Sequence, residues 1–130
     1  MKLSTVLLAL VGVAVAGRPK DLGLCKRVKT QKEFKEAIAV KGKVAVHFHV
    51  DNPTLRYLDN TFCNASTSTP DIPFVIMDVY GPLGQGTWEQ YNVPDVPCFL
   101  AFEDGKQVGN GTYVFTVERV QEAVKKFVDN

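Results

Sequence analysis

The chain has 130 residues, 15 basic against 14 acidic, with 45% hydrophobic and 22% charged side chains. That is apolar content for one cored domain and too little charge imbalance for a disordered tail. The near-neutral balance offers no electrostatic footprint for nucleic acid or an anionic membrane, so neither is expected as a partner.

In chain order, Lys2 precedes an apolar run from Val6 to Ala16 that closes on the small-x-small pattern Ala14-Val15-Ala16. This reads as a secretory signal peptide over 1–16, cleaved after Ala16. A membrane span needs about 20 apolar residues, and Arg18-Pro19-Lys20-Asp21 stops the run sooner. Residues 17–130 form the expected mature domain, headed for export because Lys126 to Asn130 is no retrieval signal of the KDEL type.

Leu22 to Val28 alternates weakly and predicts a first strand, which makes the dibasic pair Lys26-Arg27 a poor processing point. Thr30-Gln31-Lys32-Glu33 is a capping box, and Phe34, Ala37 and Ile38 carry a helix to about Val40, released by Gly42. Val44 to Val50 is a buried strand that places His47 and His49 on one face. Asn52 as cap and Pro53 at the first helical position open a second helix through Ala65, with Leu55, Leu58, Phe62 and Ala65 as its apolar face.

After a polar loop, Ser66 to Asp71, the next strand is Ile72 to Tyr80, broken by Gly81 to Gly86, a turn without the Gly-Lys-Ser/Thr ending of a phosphate loop. Thr87 to Tyr91 predicts a short helix bearing Trp88. Cys98 to Glu103 and Lys106 to Val114 predict a hairpin on Asp104-Gly105, because both turn positions need positive φ. Thr116 caps a last helix striped by Val117, Val120, Val124, Phe127 and Val128.

The order β-α-β-α-β-α-β-β-α, with Tyr91-Asn92-Val93-Pro94-Asp95-Val96-Pro97-Cys98-Phe99-Leu100-Ala101-Phe102-Glu103-Asp104-Gly105-Lys106, resembles the thioredoxin family over nearly all of the mature chain. The resemblance implies an α/β fold with a central mixed sheet of four to five strands, helices on both faces and a cis-proline loop at Pro97. It also implies a dithiol at the start of the second helix, where amides and macrodipole stabilise a thiolate. Here those positions read Pro53-Thr54-Leu55-Arg56, and no Cys-x-x-Cys exists in the chain. Disulfide exchange needs an attacking and a resolving thiol, so dithiol chemistry is not expected at this site. The family's buried acid falls at His47, and its late-strand glycine falls near Tyr113.

What the resemblance leaves is a peptide-binding surface: Val96 and Pro97 beside Asn52, Pro53, Thr54 and Arg56, taking an extended peptide or protein segment without a cofactor. The alternative is thiol-dependent oxidoreductase or isomerase activity through Cys98 or a Cys25–Cys63 pair. Three cysteines in an oxidising compartment allow three internal pairings; Cys25–Cys63 is preferred because it leaves Cys98 free in the core, where a small buried hydrophobe is its expected role. His47 and His49 lack the spacing of a zinc site, so packing with one ring neutral and hydrogen-bonded is expected rather than metal. Asn64-Ala65-Ser66 and Asn110-Gly111-Thr112 are glycosylation sequons that would put Asn64 and Asn110 at the surface.

Overall fold

The computed structural model of the chain describes residues 25–49, 52–78 and 87–130. The expected signal peptide, the Gly81 to Gly86 turn and the ends of three expected strands (22–24, residue 50 and 79–80) lie outside them. Element order is β1 Cys25–Val28, α1 Gln31–Ile38, β2 Lys43–His49, a 3₁₀ turn Pro53–Leu55 leading into α2 Arg56–Ala65, β3 Phe74–Asp78, α3 Thr87–Gln90, β4 Cys98–Glu103, β5 Lys106–Gln107, β6 Thr112–Tyr113 and α4 Val117–Asp129. The sheet runs β1-β3-β2-β4-β5, with β6 also on β4; β1, β3 and β2 are parallel, and β4 is antiparallel to β2 and to both short strands. This is the expected mixed α/β architecture.

Local chemistry fixes several boundaries. Thr30 Oγ1 accepts from the Glu33 amide at 3.0 Å while Glu33 Oε1 accepts from the Thr30 amide at 3.1 Å, closing the capping box of α1. Asp104 and Gly105 turn the β4–β5 hairpin with φ of 54° and 82°, the left-handed pair that matches strand twist. Thr116 Oγ1 caps α4 through the Arg119 amide. At the other end of α4, Lys43 Nζ donates to the carbonyls of Phe127, Val128 and Asn130, where a cation suits the negative end of the helix dipole.

The single outer strand expected over Lys106 to Val114 is instead two short ones. The break carries Gly109, with φ of 72°, and Gly111, whose amide turns inward to the Asn92 carbonyl at 3.1 Å. A Cβ at position 111 would lie 2.6 Å from Cys98 Sγ, so only glycine allows the chain to come this close. The split brings the strands of the described sheet to six.

Alternation in β2 sorts the core into two layers. Val44, Val46 and Phe48 pack with Phe34 and Ile38 of α1, and with Tyr91, Leu100 and Phe102. Ala45 faces the other way, with Leu58, Phe62 and Cys63 of α2 and Val120, Val124 and Phe127 of α4. Tyr91 makes edge contacts with Phe34, Phe48 and Phe102, so it is core rather than interface. Trp88 lies in α3, and its side chain is outside the described part.

Candidate functional site

The helix start at which the resemblance implies a dithiol is closed chemically as well as lacking sulfur. Pro53 has no N–H; the Thr54 amide donates to Asn52 Oδ1 at 3.0 Å, the Leu55 amide to the Asn52 carbonyl at 2.9 Å, and the Arg56 amide to the Pro53 carbonyl. The unpaired donors that make a helix N-terminus attractive to an anion are thus consumed locally. Pro53, Thr54 and Arg56 are exposed and Asn52 is half-buried.

The Val96–Pro97 peptide bond is cis. Pro97 is buried, and its carbonyl accepts from the Val114 amide, which ties the loop to the residue after β6. The Val96 side chain is buried, and its N–H is taken by Asp95 Oδ1 at 2.8 Å. An incoming strand must displace that carboxylate before using the Val96 donor. Near the expected glycine position stand Tyr113 and Phe115, 41% and 46% exposed, with rings nearly parallel at 5.7 Å.

Cys25 and Cys63 form a disulfide, the expected pairing, and both are buried. Cys98 is a free buried thiol, and burial pushes its pKa up to about 12. Buried protonated sulfur is a poor nucleophile.

Sequence reasoning missed Asp59. This α2 carboxylate is 3% exposed and faces three basic side chains: His47 Nε2 at 3.1 Å from Oδ1, and His49 Nδ1 at 2.7 Å and Arg27 Nη1 at 3.7 Å from Oδ2. The geometry follows from matching rises. Two strand residues advance about 6.6 Å and four helical residues about 6 Å, so Cys25 and Arg27 on β1 meet Cys63 and Asp59 on α2. The available signal was a pair of same-face histidines, which needs an acceptor from whichever element packs above it.

Burial alone would raise the Asp59 carboxyl, but the close contacts with His47 and His49 outweigh it and hold the group well below the carboxylate range. Burial drives His47 below its ordinary value, and attraction to Asp59 does not restore it. Neutral His47 then carries its proton on Nε2, the tautomer the Asp59 contact assigns. Its buried Nδ1 has no partner among the described residues, so a second proton would be a charged donor with no acceptor among them. The ring also stacks on Phe62 at 5.2 Å. His47 is therefore the neutral, hydrogen-bonded packing residue expected. The His49 contact has an ion pair's distance without hydrogen-bond alignment. Each imidazole addresses a different oxygen of Asp59, and among the described residues no group of three or more His, Cys, Asp or Glu is arranged to hold a metal.

Asn64 and Asn110 are both exposed, Asn64 on α2 and Asn110 in the break between β5 and β6. Among the described residues no helix is long and apolar enough to cross a membrane.

No protein-family model matches the chain, and no curated protein does. Solved structures match it closely in shape. Oxidised thioredoxin from Plasmodium falciparum is 19% identical with a TM-score of 0.67, covering 79% of this chain and 97% of its own. Oxidised thioredoxin O2 from Arabidopsis thaliana is 17% identical with a TM-score of 0.66, covering 80% and 94%. Thioredoxin NaTrxh from Nicotiana alata is 14% identical with a TM-score of 0.65, covering 83% and 96%. Shape, sheet order and the cis-proline loop together assign the chain the thioredoxin fold.

Proposed function

We propose that this is a secreted, redox-silent thioredoxin-like domain that binds an extended peptide or protein segment beside the Val96–Pro97 loop. The carrying observation is the closed helix start: Pro53 to Arg56 offers neither a thiol nor a spare amide to stabilise a thiolate. The other sulfurs do not substitute for it, because Cys98 is buried and protonated and the Cys25–Cys63 bond is buried. The surface that could hold a partner is intact: a cis-proline loop, the exposed Thr54 and Arg56, and the Tyr113–Phe115 pair. Aromatic side chains of this kind give large contact area at small entropic cost.

The test combines two assays on the mature protein. Insulin reduction with dithiothreitol is expected at the uncatalysed rate, unchanged by Cys98→Ala. Fluorescence polarisation with labelled, reduced and carboxymethylated lactalbumin, an extended-chain probe, is expected to show binding that Arg56→Glu or Phe115→Ser weakens and Asp95→Ala strengthens. Catalytic insulin reduction, or probe binding indifferent to all three substitutions, refutes the reading.

A further inference from the structure

We propose that Asn110 carries an N-linked oligosaccharide whose first sugars seat in the groove between the split outer strand and α4. The inference rests on the secretory reading above, because the sugar is transferred only in that pathway. The chemistry is a substitution: the side-chain nitrogen of Asn110 bonds to C1 of the reducing-end N-acetylglucosamine of a lipid-diphosphate-linked oligosaccharide. The lipid diphosphate leaves, and the displaced amide proton passes to base.

The geometry gives that sugar a place to go. Asn110 is exposed and itself lines a cavity of about 330 Å³, with Phe99, Val108 and Phe127 as apolar surface and Arg119 and Glu122 as polar side chains. An acetylated pyranose has one face of C–H groups and an edge of hydroxyl and acetamide groups, so it needs an apolar floor with polar groups at its rim. Ligand sites generally share that composition. Val108 is 49% exposed, and a sugar laid over it removes apolar surface from water. A tether at Asn110 makes the encounter intramolecular, so weak complementarity suffices. Gly111, the middle residue of the sequon, is fixed by its packing on Cys98 and Asn92 and holds the Asn110 backbone at the groove. Asn64 provides an internal contrast: it is exposed on α2, away from this groove.

The full chain is expressed in a eukaryotic secretory host, collected from the medium and mapped by mass spectrometry. Asn110 is expected to be modified. Peptide N-glycosidase is expected to release its sugar from the native protein at least about ten-fold more slowly than from Val108→Glu, the factor that about 1.4 kcal/mol of seating produces. Val108 is exposed, so the variant keeps its core, which far-UV circular dichroism checks. A secreted chain unmodified at Asn110 overturns the site while leaving secretion standing, and a chain retained in the cytosol overturns the secretory reading and the site with it. Equal release rates in wild type and Val108→Glu overturn the seating.

Discussion

Removing the carboxylate of Asp59 should be among the most damaging single changes in this protein. In Asp59→Ala the buried His47 Nε2–H, whose nitrogen lies 3.1 Å from Asp59 Oδ1, loses its acceptor, and His49 and Arg27 lose their contacts with that carboxylate. Leaving a buried donor without its acceptor costs about 1–3 kcal/mol. The upper end of that range applies here, because the His49 and Arg27 contacts go with it, although exposed Arg27 can rehydrate. At roughly 4 °C per kcal/mol for a domain of this size, the midpoint should drop by about 12 °C. Asp59→Asn keeps an acceptor for His47 and should cost less.

The same cluster sets the acid response. His47 lies below its ordinary value of about 6.5 when folded, so below that pH the unfolded chain takes a proton that the folded chain refuses, and stability falls. Asp59 is also depressed; its contribution is complete above the ordinary carboxylate pKa and is lost as pH drops through the lower folded value. Wild type should therefore weaken steadily from about pH 6.5 downward, the histidine acting first. Urea melts of wild type, Asp59→Ala and Asp59→Asn at pH 7.5, 5.5 and 4 measure both effects. A loss under about 1 kcal/mol for Asp59→Ala, with a flat wild-type profile between pH 7.5 and 5.5, would refute the argument.

Three further outcomes follow from the sulfur and glycine chemistry. Cys25→Ala/Cys63→Ala releases a cross-link spanning 38 residues, and loop entropy predicts a loss of about 4 kcal/mol in denaturant melts. Gly111→Ala should destabilise by about 1–3 kcal/mol, because the new methyl meets Cys98 Sγ at 2.6 Å and the Asn92 carbonyl at 3.1 Å; Cys98→Ala should recover part of that loss, and no recovery would mean that the backbone contact dominates. Native Cys98, with its pKa pushed up to about 12, should react with iodoacetamide at pH 8 at least about a thousand-fold more slowly than an ordinary thiol of pKa about 8.5, and should recover normal reactivity in guanidinium.

Much of the fold is written locally. The capping box at Thr30, the Asn52-Pro53 helix start, the Asp104-Gly105 turn and the period of two in β2 each depend on neighbours within a few residues, so sequence alone determined most of the elements and their order, while the sheet was implied by the resemblance of Tyr91 to Lys106 to the thioredoxin family. The absence of a dithiol was equally legible, since it is a statement about residue types at Pro53 to Arg56. Tertiary structure decided everything that depends on one element lying over another. Asp59 gains meaning only because α2 sets it against β1 and β2; Cys25 and Cys63 meet because strand and helix rises match; and the outer strand breaks because Gly111 turns inward to Cys98 and Asn92. Those contacts join residues far apart in the chain, and neither propensity nor periodicity carries information at that range.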